Sequence, residues 1–180
     1  MIRLEPDIIE RCRKGERKAQ MQLYSLYYKR VYNSCYRILR NSLEAEDAMQ
    51  ESFLKVFSKL DKFQEEANLL EAWIVRIAIN TSIDKLRKNE LEFTPFQEGM
   101  EYSDSSDLEE DDWTWIAEKA EQIKSTIEQL PHKYRLILTL HLIEGFDFEE
   151  IAEILKQKPG TVRVQFLRGK ERLITLLQAS

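Results

Sequence analysis

The chain has 180 residues, of which 33% are charged, and a net charge of -5 at pH 7, unlike the basic composition typical of proteins that bind DNA by themselves. No apolar run approaches the roughly 20 residues of a membrane-spanning helix, and the N-terminal stretch is charged, so we expect a cytoplasmic protein without membrane insertion. Cys12 and Cys35 lack a metal-binding spacing and are expected to be buried or incidental thiols. The sequence has no nucleophile motif and no phosphate loop, so it predicts no metal, no cofactor and no enzymatic activity.

A capping signal opens the first clear helix. Asn41 can accept a hydrogen bond from the amide of Glu44, and a helix with one apolar stripe is predicted from there to Leu60. The stripe consists of Met49, Phe53, Val56, Phe57 and Leu60. The polar face beside it carries Asp47, Gln50, Glu51 and Lys55. Two interpretations of that face stay open: a solvated surface, or a docking surface for another protein.

A second helix is predicted from Glu71 to Lys88, after a polar, loop-like segment at residues 61–68. Its inward positions are expected to be Trp73, Ile77, Ile83 and Leu86. On the other side, three- and four-residue steps bring together Arg76, Asn80, Asp84, Arg87 and Lys88. Cations and an amide on one face suit a phosphate backbone and exposed bases. Trp73 lies at the opposite periodicity, which favours a core position over stacking on a base.

Acidic residues are concentrated in the middle of the chain. Residues 89–112 hold ten of the 32 acidic residues and no Lys or Arg, so the rest of the chain has a net charge of about +5. Pro95, Gly99 and the Ser103–Ser106 cluster, with poor apolar periodicity, favour a flexible linker. The predicted fold class is therefore all-α, with two small helical domains at residues 1–88 and 113–180 joined by the acidic linker at residues 89–112.

The last third of the chain predicts a helix-turn-helix. Asp147 and Glu150 form a capping box ahead of an apolar stripe made of Phe148, Ile151, Ala152, Ile154 and Leu155. A second helix is predicted to begin near Pro159, because proline is tolerated at the first helical position. Its buried stripe is expected to be Val162, Phe166 and Leu173. The residues expected to project outward are Arg163, Gln165, Arg168, Lys170 and Arg172.

Positive charge is concentrated on that second helix. Residues 156–172 hold six basic residues and one acidic residue, whereas residues 144–153 hold five acidic residues and no basic one. Arg can pair with guanine in the major groove, Gln with adenine, and Lys or Arg with phosphates. A solvated helix face would show similar charge, but the spacing, turn and cap together favour a DNA-reading helix.

Three segments in order resemble conserved regions 2 and 4 of bacterial sigma factors, and the two-domain length resembles the extracytoplasmic-function (ECF) group of the sigma-70 family. The segments are EAEDAMQESFLKVFSKLDKF (residues 44–63), AWIVRIAINTSIDKLRK (residues 72–88) and LPHKYRLILTLHLIEGFDFEEIAEIL with GTVRVQFLRGKERL (within residues 130–173). The resemblance implies a promoter-specificity subunit of RNA polymerase. Its partners would be promoter DNA and core RNA polymerase, through the flap and a coiled coil of the largest subunit, and an anti-sigma factor is a candidate partner.

The same resemblance implies roles for individual residues. Polymerase docking is matched by Asp47, Gln50 and Glu51. The family's segment that captures a flipped base of the -10 element corresponds here to Asp61, Lys62, Phe63, Gln64 and Asn68. Its adjoining DNA-facing helix corresponds to Arg76, Asn80, Arg87 and Lys88. Recognition of the -35 element is matched by Lys158, Thr161, Arg163, Val164, Gln165, Leu167, Arg168 and Lys170. The acidic linker is matched by the family's connector through the polymerase channels, although a merely solubilising tether stays open.

The sequence departs from the family pattern in the turn and the second helix. Lys156, Gln157 and Lys158 replace the usual Gly, apolar and small capping residues, and a Lys enters a left-handed turn only at a steric cost. Val164 and Gln165 replace the usual Ser and Arg, so the -35 sequence is expected to differ; Val164 predicts contact with a thymine methyl. Gly169 replaces Ala inside the helix, which costs about 1 kcal/mol of helix propensity.

Two other classes of protein stay open at this point. A stand-alone helix-turn-helix regulator would use the first domain to sense a signal or dimerise, and would bind a palindrome without polymerase. An interaction protein that sequesters a partner would not need Arg163 or Arg168. The docking match at Asp47, Gln50 and Glu51 argues against both.

Overall fold

The computed structural model describes residues 7–64, 69–92 and 114–179. The chain separates into two compact units, an N-terminal unit of residues 1–94 and a C-terminal unit of residues 95–180. Every regular element within the described residues is helical, so the all-α prediction is confirmed. In that part of the chain no helix combines the length and the apolar character that crossing a membrane requires.

The N-terminal unit is built on three helices that pack pairwise against one another. They are α2 (Arg17–Leu39), α3 (Ser42–Lys59) and α4 (Leu70–Glu92), while the short α1 (Ile8–Arg13) packs on α2 and on a 3-10 turn at Leu60–Lys62. Each of the three long helices contributes fully buried apolar side chains to the centre, as Leu23, Val56 and Ile74 do. Removing this apolar surface from water is the main source of stability for so small a unit.

The start of α3 is as the sequence predicts. Asn41 Oδ1 accepts a hydrogen bond from the backbone N–H of Glu44 at 3.1 Å, which satisfies one of the amides left free at a helix start. The predicted stripe is confirmed, with Met49, Phe53, Val56 and Leu60 buried and Phe57 half-buried. The face of α3 that carries Asp47 therefore points away from this core.

The prediction for α4 is wrong in two respects. The helix continues four residues past Lys88 to Glu92, so the first residues assigned to the linker are helical; residues 93–112 lie outside the described residues. Of the four positions expected to face inward, only Ile83 is fully buried, and Trp73, Ile77 and Leu86 are half-buried. Besides Ile83, the buried positions of α4 are Leu70, Ile74, Val75, Ala78, Ile79, Thr81 and Ser82. Because α4 packs against both α2 and α3, two of its faces are covered rather than one stripe.

The C-terminal unit packs three shorter elements around one long helix. Its helices are α5 (Thr114–Glu128), α6 (His132–Leu138), α7 (Phe148–Leu155) and α8 (Pro159–Ala179), with a π-helical segment, Thr139–Ile143, after α6. Helices α5, α6 and α7 each pack against α8. The core contains Ile127, Leu130, Tyr134, Leu138 and Leu173.

Both helix starts in the helix-turn-helix are confirmed. Asp147 Oδ1 accepts from the N–H of Glu150 at 2.7 Å, and Glu150 Oε2 accepts from the N–H of Asp147 at 3.0 Å, which completes the capping box. Helix α8 begins at Pro159. Val162 and Leu173 are buried as predicted, and Phe166 is half-buried.

The turn between α7 and α8 is a Schellman motif that has lysine where glycine is usual. Lys156 adopts φ 54° and ψ 43°, in the left-handed region. The N–H of Gln157 donates to the carbonyl of Ala152 at 2.9 Å, and the N–H of Lys156 donates to that of Glu153 at 3.2 Å, which is the bonding pattern of this motif. The turn therefore forms without glycine, at the steric cost expected from the sequence.

Gly169 lies where α8 passes closest to α6. A Cβ built at this position would lie 3.2 Å from Tyr134 Cβ and 3.3 Å from Leu138 Cδ1. The missing side chain allows this close approach of the two helices. The propensity lost at Gly169 is thus accompanied by close packing against α6, which the sequence alone did not indicate.

Candidate nucleic-acid interface

The outward face of α8 is basic at its edges and apolar at its centre. Lys158, Thr161, Arg163, Arg168 and Lys170 are exposed, and Gln165 is half-buried, which corrects its expected outward position. Val164 is 47% exposed and Leu167 is 57% exposed, and both lie between the cations on the helical wheel. Cations beside exposed apolar side chains suit a duplex, which offers phosphates and the methyl groups of thymine.

An aromatic cluster fixes the orientation of α8. His141 of the π-helical segment stacks on Phe148 of α7 at 4.5 Å, and Phe166 of α8 meets both rings edge-on at 4.8 and 5.1 Å. His141 Nδ1 lies 2.7 Å from the carbonyl oxygen of Phe146; a carbonyl only accepts, so Nδ1 is the donor. These contacts join the π-helical segment, α7 and α8, and they fix the direction in which the outward face of α8 points.

Helix α4 carries the second predicted DNA-facing set. Asn80 and Lys88 are exposed, whereas Arg76 and Arg87 are half-buried. Arg87 Nη1 lies 3.4 Å from Asp84 Oδ1 one turn earlier. The three- and four-residue steps place these side chains along one side of α4, as expected from the sequence.

The segment before α4 is only partly exposed. Asp61, Lys62 and Gln64 are exposed, whereas Phe63 is 2% exposed and its ring packs on Trp73 at 5.1 Å between centroids. The Phe63 ring therefore lies in the core of the unit, and its assigned part in base capture stays a prediction. The same contact gives the half-buried Trp73 a packing partner within the unit. Asn68 lies outside the described residues.

Arg13 is a residue of this region that sequence reasoning missed. Its Nε donates to the carbonyl of Leu60 at 3.2 Å, and its Nη2 donates to the carbonyl of Phe63. These bonds tie α1 to the start of the loop. Arg13, Asp61, Phe63 and Gln64 line an open concavity of about 500 Å³. No local pattern could have revealed this role, since the partners are 47 and 50 residues apart in sequence.

The outward face of α3 has a different character. Asp47 and Gln50 are exposed, and they lie between Leu43 and Leu54, which are 73% and 71% exposed. These four residues follow one another at steps of four, three and four positions, so they form a single stripe, named here the α3 outer stripe. The α3 outer stripe therefore offers polar groups for hydrogen bonds and apolar side chains for packing, the two kinds of contact found in protein interfaces.

Glu51 is held within the unit. Its Oε1 lies 2.7 Å from Lys55 Nζ, its Oε2 lies 3.8 Å from Lys85 Nζ on α4, and Lys55 Nζ also donates to Thr81 Oγ1 at 3.1 Å. The hydrogen bond from Lys55 lowers the pKa of Glu51, and the nearby Lys85 charge acts in the same direction. The sequence grouped Glu51 with Asp47 and Gln50, whereas the structure joins it to the contact between α3 and α4.

Comparison with known proteins matches both units to the same family. Residues 23–92 match Sigma-70 region 2, and residues 120–173 match Sigma-70 region 4. The chain is 32% identical to the ECF RNA polymerase sigma factor SigW of Bacillus subtilis, over 92% of each chain. It is 31% identical to the ECF RNA polymerase sigma-E factor of Salmonella typhimurium, over 95% of this chain and 93% of the relative. The chain belongs to the sigma-70 family of bacterial RNA polymerase sigma factors, in its ECF group.

Solved structures show the same fold. CnrH, determined in complex with the cytosolic domain of CnrY, aligns over 96% of each chain with a TM-score of 0.53 and 21% identity. The sigma factor RpoE of Bartonella quintana, determined in complex with the anti-sigma factor NepR, aligns over 88% of this chain and 96% of the other with a TM-score of 0.57 and 22% identity. The two regions in order along one chain do not favour a stand-alone regulator.

Proposed function

We propose that this sigma factor divides promoter recognition between its two units, with the α3 outer stripe as the contact to core RNA polymerase. The observation that carries the proposal is that one chain presents a mixed polar and apolar stripe on α3 and a basic face on α8, in segments that match regions 2 and 4. The protein acts where core polymerase and DNA are found, in the bacterial cytoplasm.

In this proposal the α3 outer stripe binds the coiled coil on the largest polymerase subunit. Asp47 and Gln50 supply hydrogen bonds, and Leu43 and Leu54 lose their exposure to water at the two ends of the contact. Protein interfaces combine apolar contacts of this kind with direct hydrogen bonds. Glu51 contributes indirectly, because its ion pairs with Lys55 and Lys85 hold α3 in place on α4.

The N-terminal unit binds the -10 element with the segment after α3 and the polar side of α4. Asp61 and Gln64 are exposed at the concavity described above, Lys62 is exposed beside them in sequence, and Asn80 and Lys88 extend the polar surface along α4. Flipping a base out of the stack costs a few kcal/mol, which a pocket recovers by stacking and hydrogen bonding. Strand opening by capture of a base therefore needs no ATP.

The C-terminal unit reads the -35 element with α8 and contacts the polymerase flap. The exposed Arg163, Arg168 and Lys170 supply phosphate and base contacts, and Val164 supplies an apolar contact. The acidic linker then follows the polymerase channels, where negative charge suits a path built for RNA. An anti-sigma factor that covers the α3 outer stripe would silence the protein.

The test is binding to core polymerase by variants of the α3 outer stripe. Asp47→Asn and Gln50→Ala should each weaken the complex about tenfold or more, since buried hydrogen bonds at such contacts contribute on the order of 1–3 kcal/mol. Asp7→Asn is the matched control, because it removes the same charge from the exposed residue that precedes α1 and makes no side-chain capping bond. Equal binding by all three variants would refute the assignment of this surface.

A further inference from the structure

We propose that Glu149, which lies on α7 outside the predicted DNA-binding set, is a positioning residue for Arg163 and thereby sharpens the base preference of α8. This inference rests on the proposed function, in which α8 reads the -35 element. It adds a residue from the preceding helix to that recognition.

The two side chains meet across the helix-turn-helix. Arg163 Nη2 donates to Glu149 Oε1, in an ion pair that joins the first turn of α7 to the start of α8. The Arg163 guanidinium also lies 6.0 Å from the centroid of the Phe148 ring. Phe148 is itself held by Phe166 and His141, so the guanidinium has one charged and one aromatic contact on a well-packed support.

Such a contact matters because of the shape of the guanidinium group. Its N–H donors form a rigid planar fork, so holding one nitrogen orients the donors that remain for a base edge. An arginine that is already oriented loses less side-chain freedom on binding, and the corresponding gain is roughly 2- to 10-fold in affinity for the correct base. Glu149 also repels phosphates, so it should lower non-specific affinity.

The ion pair has little to do with folding. The side chains of Arg163 and Glu149 are 55% and 60% exposed, and pairs this exposed to water stabilise a protein only slightly. If the ion pair only stabilised the fold, removal of Glu149 would lower stability slightly and leave base preference unchanged. A positioning role predicts that base preference falls at one position.

The experiment measures -35 base preference with the full chain assembled on core polymerase. Promoters selected by the wild-type holoenzyme are mutated one base at a time, and relative binding is measured by competition for wild type, Glu149→Gln, Arg163→Ala and the double variant. Glu153→Gln is the matched control, because it removes the same charge from an exposed site one turn further along α7. Thermal unfolding of each variant is measured in parallel.

The expected result is specific to one base pair. Glu149→Gln should reduce discrimination roughly 3- to 10-fold at the position where Arg163→Ala abolishes it, with overall affinity unchanged or raised and unfolding unchanged. In the Arg163→Ala background the same substitution should have no further effect on base discrimination, and Glu153→Gln should leave discrimination intact.

Three results would overturn the inference in distinguishable ways. Unchanged discrimination in Glu149→Gln, with a clear effect of Arg163→Ala, would remove the positioning role and leave the proposed function standing. An equal loss in both backgrounds would make Glu149 an independent contact. No effect of Arg163→Ala at any -35 position would refute the inference together with the proposed role of α8.

Discussion

Substituting Lys156 by glycine should stabilise the C-terminal unit. Lys156 is held at φ 54° and ψ 43° by the two backbone hydrogen bonds of the Schellman motif. A residue with a Cβ pays about 1–2 kcal/mol for this conformation, and glycine avoids that cost. Glycine also has more conformational freedom in the unfolded chain, which lowers the free energy of unfolding by about 0.4–1 kcal/mol and offsets part of the gain. The net expectation is a gain of roughly 0.5–1 kcal/mol in the free energy of unfolding.

The assay is urea unfolding of the full chain, followed by a signal from the C-terminal unit. Lys156→Ala is the control, because it removes the same exposed charge and keeps the Cβ, so it should show no comparable gain. The reasoning about backbone strain would be refuted if glycine and alanine had equal effects, or if glycine lowered stability.

Four further predictions concern the proposed sites. Arg13→Ala should reduce strand opening at the -10 element without weakening binding to core polymerase, because Arg13 holds the carbonyls of Leu60 and Phe63. Strand opening is measured as the permanganate reactivity of unpaired thymines. Lys14→Ala is the control, and equal opening by the two variants would contradict this role. Glu51→Gln should cost less than about 1 kcal/mol of stability at neutral pH, because the ion pair is partly exposed. The hydrogen bond from Lys55 lowers the pKa of Glu51 in the folded state, so this cost should be present above the pKa of the unfolded chain and should vanish as pH falls through the lowered folded-state pKa. A cost that did not change with pH in urea unfolding would argue against this role of the ion pair. Val164→Ala should lower a preference for thymine at one -35 position about 3- to 4-fold, as the loss of roughly one buried methyl group implies; a selection that returns G or C at every -35 position would exclude this contact. The isolated protein should bind promoter DNA weakly at physiological salt, because its net charge of -5 offers little counterion release, and tight binding in a mobility-shift assay would be inconsistent with that expectation.

Local signals in the sequence were sufficient for the helix starts. Asn41, Asp147 and Pro159 each act within three residues of their own position, through a side-chain cap or a preset φ angle. The capping box and the left-handed Lys156 were predictable for the same reason. Two helical units also follow from the spacing of apolar residues.

Features that depend on packing between distant residues were not predictable. The buried face of α4 was misassigned because two neighbouring helices cover it, so its apolar positions do not form one stripe. Phe63 resembles an exposed loop residue in the sequence and lies in the core against Trp73. Gly169 has a clear reason only when its distance to Tyr134 on another helix is known.

The residues of the candidate site likewise divide into those with a local signal in the sequence and those that depend on contacts with distant residues. The sequence indicated the exposed Asp47 and Gln50 through their place off the apolar stripe, and it could have indicated Leu43 and Leu54 by the same spacing. Glu51 has that spacing as well, but its partner Lys85 belongs to another helix. Arg13 and Glu149 have no local signal, because the roles proposed for them depend on contacts with residues 14 to 50 positions away along the chain.

The central claim is that this chain directs core RNA polymerase to particular promoters through both units. The most direct measurement is transcription by bacterial core polymerase from a pool of genomic promoter fragments, with and without the purified protein. Specific transcripts should appear only with the protein and should vanish with Asp47→Asn or Gln50→Ala, and Arg163→Ala should change which promoters are used. Failure to associate with core polymerase, together with direct binding to a palindromic site, would contradict it.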